Sequence, residues 1–533
     1  MATTTATIDH PVIGRVEGVK DNGVIQFRGV QYGVLNHWLD NPKLPVYDGS
    51  GITATKFGPT AVSPPGGLAN EHGIIQKSLP LPADPGSSAT KCLNLNLNIP
   101  AGTTASSNLP VLVFIHGGGF FTGGNWWPQY DMRRIVQLSV DQKNPIIVAN
   151  INYRLGMPGF LTSKELRDAG YQSNNGHHDQ RMALKWVKKF ISGFGGDPDR
   201  VTGMGESVGG LSTLRLLNPN EDLASRIVVL AGAPPLMSPQ PLEAAEAGYS
   251  SVIDALGLGS ATSDERVAKL VEASPEVLAT KLSPQLMFSP LIDGYIIDSE
   301  PTFESIHSNP PWGKTSCKAI MVGYSPFDAS VLGMMGLFQR KQGIGAAFSS
   351  FVKSVLASHK PEAKKLLQLY GLGEGSSIDD DGALMRVLQF ASDIGYCAPA
   401  HVLAKTFPGE AFVLQFSEPN PWDGPFKGYT THVLDIAFIF QNYREHLDAE
   451  QLATSEKFAT DIIHFSNGSA PWDDYHKSGT VAVYENGTRI CKEGQAVLSK
   501  EYQGLVKIGE VVGLDTLASL VVGFVFGTLP SSE

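Results

Sequence analysis

Cysteine is scarce: Cys92, Cys317, Cys397 and Cys491 are scattered through 533 residues with no CxxC pair. That spacing excludes a thiol-redox or paired-cysteine zinc motif and supplies no disulfide framework. Positive charge is also short. Lys and Arg total 41 against 52 Asp and Glu, a formal charge of −11, which opposes phosphate backbones and anionic lipid and argues against a nucleic-acid partner. No apolar run is long enough to span a bilayer. The longest, Thr516 to Leu529, falls short of the ~20 residues required, contains Gly523 and Gly527, and reads as a core helix or packing surface. Met1 to Pro11 has neither a basic nor an apolar signal region, so a cytoplasmic location is expected. His177 and His178 are adjacent, but neighbouring side chains diverge and no Cys or carboxylate cluster accompanies them; no metal or cofactor is expected.

The chain does have a core. At 42% hydrophobic and 17% charged residues it is too apolar and too weakly charged for disorder. No fixed-period repeat or low-complexity linker divides it, so residues 1–533 read as a single domain. Gly14 to Gly33 alternates apolar and polar residues around Asp21-Asn22-Gly23, the pattern of a tight β-hairpin. Residues 34–91, rich in Pro, Gly and Ser, read as surface loops. The alternating Leu93 to Ile99 segment predicts a half-exposed strand, whereas Val111 to Ile115 and Ile146 to Ile151 predict buried ones. Helical spacing over Asp179 to Phe190 predicts a helix capped by Asp179, followed by a short strand at Arg200 to Met204. This succession predicts an α/β fold, a mostly parallel central sheet flanked by helices. Mostly helical stretches at about 239–286 and 345–387 read as insertions suited to a lid or gorge wall.

Two glycine motifs carry the chemistry. Gly205-Glu206-Ser207-Val208-Gly209 lies between a short strand and a helical run. A serine there sits on a sharp turn at a helix N-terminus, its hydroxyl exposed, where backbone N–H groups favour developing negative charge. His116-Gly117-Gly118-Gly119-Phe120 ends the buried strand Val111 to Ile115. Consecutive glycines can turn two N–H groups toward one point, as an oxyanion site requires. Together and in this order, the motifs are far more specific than either alone.

These blocks, with CLNLNLNIP, NYRLGMPGF and SPLIDGY, resemble the type-B carboxylesterases, the α/β-hydrolases that include cholinesterases and fungal lipases. The resemblance implies Ser207 as nucleophile, with N–H groups of Gly118, Gly119 and Val208 forming the oxyanion hole. It implies a later acid and then a histidine. His432, before an acidic residue and an aromatic helix, matches the family's base; Asp328, following Gly323 at a strand end, matches its acid, with Asp293 and Asp298 as competitors. Glu206 resembles the buried Glu that tunes the site's field. Phe120, Phe121, Trp126 and Trp127 follow the glycine loop and are expected at the pocket mouth.

Departures from the family matter as well. No Trp lies between Asn70 and Lys91, where choline-ester hydrolases carry a cation–π platform. No cysteine precedes Cys92 to close the family's loop, so residues 61–91 are expected to be restructured. Leu230-Ala231-Gly232-Ala233 lacks the serine that often backs the acid. The expected activity is a serine ester hydrolase acting through an acyl-enzyme on small neutral apolar or aryl esters, those of an intracellular secondary metabolite among them. The rivals are an acyltransferase or lactone enzyme using the same triad, and a non-catalytic binding protein on the same fold.

Overall fold

The computed structural model describes residues 4–217, 221–282, 286–308, 310, 313 and 315–527. Among the described residues thirteen strands form one sheet. They are β1 (Thr4–His10), β2 (Gly14–Asp21), β3 (Val24–Gln31), β4 (Ile52–Thr53), β5 (Asn94–Pro100), β6 (Leu109–Ile115) and β7 (Ile147–Ile151), then β8 (Gly196–Glu206), β9 (Arg226–Leu230), β10 (Ala319–Tyr324), β11 (Glu410–Phe416), β12 (Thr480–Glu485) and β13 (Thr488–Glu493). Their order is β1-β2-β3-β5-β7-β6-β8-β9-β10-β11-β12-β13, with β4 beside β2. From β7 to β12 every neighbouring pair is parallel. Antiparallel pairs close both ends.

Both sheet faces are covered, and the central strand β6 is accordingly apolar throughout. Along β6, Val111, Val113 and Ile115 enter one core and Leu112 and Phe114 the other. Helix Asn175–Phe190 packs on the first face; helices Arg133–Asp141, Leu434–Ile439 and Ala449–Ser466 contribute to the second. The β2–β3 hairpin turns through Asn22 (φ 44°) and Gly23 (φ 80°), the positive dihedrals of a two-residue turn that matches strand twist.

Two local expectations change. Strand β5 is buried on both faces rather than half exposed, because its polar positions meet partners instead of water. Asn94 Nδ2 donates to Pro59 O at 2.8 Å, Asn96 Nδ2 to Asn125 O at 2.9 Å, and Asn98 Oδ1 accepts from Gln26 Nε2 at 2.8 Å. Asp179 is no cap: its helix begins at Asn175, and its carboxylate takes Arg154 Nε and Nη2, each at 2.8 Å, in a fully buried bidentate pair. The 239–286 region contains helices Leu242–Ala255, Ser263–Glu272 and Pro275–Lys281, with residues 283–285 outside the described set; helices Ile344–Val355, Lys360–Leu369 and Asp380–Ser392 lie at or beside 345–387. All four cysteines are free, with Cys491 alone exposed.

Candidate active site

Parallel strands deliver their C-terminal ends to one edge of the sheet, where ligands of open α/β folds bind. Ile115 pairs with Gly205, so the glycine loop after β6 and the serine turn after β8 emerge side by side. Ser207 sits at φ 58°, ψ −128°, a sparsely populated conformation that costs on the order of 1–3 kcal/mol. Tight packing maintains it. A Cβ on Gly205 would lie 2.1 Å from Gly209 O, and one on Gly209 would lie 2.1 Å from Ile115 O, so both motif glycines are sterically required. The Ser207 N–H donates to Leu230 O at 2.9 Å.

In the glycine loop, Gly118 and Gly119 have φ of 97° and 64°. Phe121 and Thr122 N–H groups close the turn on Gly118 O. The N–H groups of Gly118, Gly119 and Val208 donate to no other group among the described residues. His116 is buried, stacks on Tyr153 at 4.6 Å and bonds Gly117 O through Nδ1 at 2.9 Å; burial lowers its pKa to about 4, leaving it a neutral prop for the loop.

Asp328 and His432 come from the loops after β10 and β11, tied together by a bridge between Phe327 and Thr431. His432 Nδ1 lies 3.2 Å from Asp328 Oδ1, and Asp328 Oδ2 accepts the Ser325 N–H at 2.6 Å. Ser330 Oγ accepts the His432 N–H at 3.1 Å, and Tyr396 meets the imidazole edge-on at 5.6 Å. Neither Asp293 nor Asp298 takes this place: Asp293 accepts from Asn174 Nδ2 at 2.7 Å and from nearby backbone N–H groups, and Asp298 has no bond to His432.

Four buried carboxyls, Asp328, Glu206, Asp435 and Glu71, act electrostatically on the site. Burial raises the pKa of Asp328, opposed by its bond from His432. Burial and the charges of Asp435, Glu71 and Asp328 hold Glu206 well above its ordinary value; Asp435 is pushed up to about 8 by burial and by Asp328. Glu71 is raised by burial, against hydrogen bonds from Gln129 and Tyr130. No hydrogen bond joins Ser207 to His432 among the described residues. His432 Nε2 instead approaches Glu206 Oε1 at 3.2 Å, off hydrogen-bond geometry, so that buried oxygen has no partner. Catalytic hydrogen bonds are often loose without substrate and tighten when it binds.

Ser207, Glu206, Val208, Gly118, Gly119 and His432 line one cavity of about 230 Å³. Asp328 is buried behind His432, outside the lining. Of the four expected mouth aromatics only Phe121 reaches the cavity. Phe120 is 1% exposed and packs on Phe160 and His177. Trp127 stacks on Tyr130, and both tryptophans line a separate groove, because the chain turns away after Gly124. No described residue of 239–286 or 345–387 lines the cavity. Its outer wall is built from Met334, Met335 and Phe526, and Asn70 and Glu71 come from helix Gly67–Ile75 within the presumed surface loops. Sequence spacing carries no signal for these residues, since they meet only through the fold. Among the described residues no group of three potential metal ligands occurs.

The sequence pattern of the carboxylesterase family matches residues 3–488. Relatives include a para-nitrobenzyl esterase of Bacillus subtilis, 32% identical over 54% of this chain, and lipase 4 of Diutina rugosa, 28% identical over 60%. These matches span 57% and 60% of the relatives' own lengths. Lipase 3 of Yarrowia lipolytica is 25% identical over 90% of this chain and 91% of its own. A solved PNB esterase superposes with a TM-score of 0.70 at 24% identity, covering 94% of this chain and all of that one, a likeness of fold. A family pattern that covers nearly the whole chain, on an α/β-hydrolase sheet, means that the protein belongs to the carboxylesterase family.

Proposed function

We propose that the protein hydrolyses carboxylic esters through an acyl-enzyme on Ser207. The observation that carries this reading is the strained Ser207 turn, sharing one cavity with His432 and with three N–H groups free to receive an oxyanion. Ser207 Oγ attacks the ester carbonyl while His432 Nε2, shifting from Glu206 to the serine, takes its proton. The carbonyl oxygen becomes an oxyanion bonded by the N–H groups of Gly118, Gly119 and Val208. Asp328 holds the Nδ1–H tautomer and stabilises the imidazolium. Collapse expels the alcohol with the proton from His432, and water, activated by the same imidazole, releases the acid.

The lining supports a reading of the substrate class. Leu211, Leu236, Met237, Val331 and Leu332 make the cavity apolar, and no tryptophan among the described residues lines it. Neutral apolar or aryl esters should therefore exceed choline esters by more than ~10-fold in kcat/KM, about one lost cation–π contact. A choline ester and its uncharged dimethylbutyl analogue, assayed at equal acyl length, test this; preference for the charged ester rejects it. For the nucleophile, Ser207→Ala should lower kcat by about 10⁴ to 10⁶ and abolish fluorophosphonate labelling. Labelling that persists in the variant would overturn the assignment.

A further inference from the structure

The apolar run near the C-terminal end of the sequence takes no part in this chemistry, yet the fold brings it to the cavity. Helix Leu514–Phe526 lies beyond residue 488, where the family pattern ends. At Gly513 (φ 86°) it bends by 106° from helix Lys500–Val512. Both of its ends are fixed. Asp515 Oδ1 and Oδ2 accept the N–H groups of Phe303 and Glu304 at 2.6 and 3.1 Å, and Val525 O accepts Arg340 Nη2 at 2.8 Å. Between these ties Leu517, Leu520 and Val521 are buried, and Phe524 packs edge-on against Phe348 at 5.0 Å.

A helix held this way is a firm wall, and its last residue, Phe526, lines the cavity that contains Ser207. Phe526 is 40% exposed, and Met334 and Met335, lining the same cavity, are 38% and 39% exposed. Three large apolar side chains left to solvent around one cavity mark a place where apolar surface is received. The two methionines, unbranched and polarizable, can conform to a chain of variable length. Leu236 and Met237 continue the apolar lining.

We infer that Phe526, with Met334 and Met335, forms a subsite for an unbranched aliphatic arm of the ester, which makes Phe526 a specificity-determining residue. The inference rests on the esterase reading above and adds to it a chain-length preference set by a segment outside the family pattern.

Two substrate series test it: p-nitrophenyl esters from acetate to dodecanoate, and acetates of alcohols from methyl to octyl, with rates normalised to fluorophosphonate-titrated sites. Phe526→Ala should lower the long-to-short ratio of kcat/KM by about tenfold in one series, identifying the arm that lies in the subsite, while Phe526→Leu should keep most of that ratio. The effect should appear in KM for the long chains. An unchanged ratio in both series, or an equal loss at every length with Phe526→Leu no better than Phe526→Ala, would overturn the subsite. Wild-type protein that neither turns over any ester nor reacts with the phosphonate would instead reject the esterase reading itself, and the subsite with it.

Discussion

Two aspartates stand near His432, and their surroundings assign them opposite tasks. Asp328 presents Oδ1 to Nδ1 at 3.2 Å while the Ser325 N–H secures its other oxygen. Asp435 turns back to its own helix, accepts the Ile436 N–H at 2.8 Å, and is raised to about 8, so it is largely protonated at pH 7. Asp328→Asn is therefore expected to lower kcat by about 10³ to 10⁴, since the amide favours the wrong imidazole tautomer. Asp435→Asn, an isostere of the protonated acid, should stay within about tenfold of the parent. Steady-state kinetics of the two variants check this, and the reverse ranking would make Asp435 the acid. At this scale the sequence was most legible where chemistry is local. Gly205 to Gly209 and His116 to Gly119 are short motifs whose backbone geometry follows from their glycines. Glu71 and Tyr396 were invisible, since nothing near them in the chain marks a residue that joins the cavity of His432 only through the folded structure.

Among elements, the same distinction separates what periodicity reports from what packing decides. Strands β6 and β7 could be read from apolar runs because both of their faces are covered. Strand β5 misled because alternation with Asn imitates a solvent face, although Asn94, Asn96 and Asn98 find buried partners. Helix Asn175–Phe190 started a turn earlier than its first obvious signal because Asp179 answers to Arg154, a residue 25 positions away. That pair also makes a prediction. Arg154 gives its remaining bonds to Trp38 O and Asp40 O, both at 2.9 Å, so its guanidinium knits the early loops to this helix. Asp179→Ala would leave a buried cation uncompensated and should destabilise the fold by about 3–5 kcal/mol. Urea unfolding measures the loss; a change below about 1 kcal/mol would mean that water reaches the guanidinium.

The whole molecule keeps ionisable groups of both kinds neutral in its interior, and the two kinds pull stability in opposite directions with pH. Burial raises Asp393 to about 7 and Asp435 to about 8. Asp393 is held by Tyr370 OH at 2.7 Å and Gln389 Nε2 at 3.1 Å, with Glu501 adding repulsion. For these acids the native state keeps a proton that the unfolded chain releases above about 4. Their contribution is complete below that pH and is lost as pH rises through about 7 and 8. Burial lowers His116, His178 and His401 to about 4 and His177 well below 6.5. Here the unfolded chain binds the extra proton, so stability is lost as pH falls from about 6.5 toward 4. Between about 4 and 6.5 the two sets oppose each other; above 6.5 the acids act alone. Each proton of difference is worth about 1.4 kcal/mol per pH unit. Stability is therefore expected to fall by about 2 kcal/mol between pH 6.5 and pH 8 as Asp393 and Asp435 lose their advantage. Urea unfolding between pH 6.5 and 8 checks the fall, and Asp435→Asn should make it shallower. Stability that held level or rose from pH 6.5 to 8 would mean that the buried acids are already ionised in the native fold.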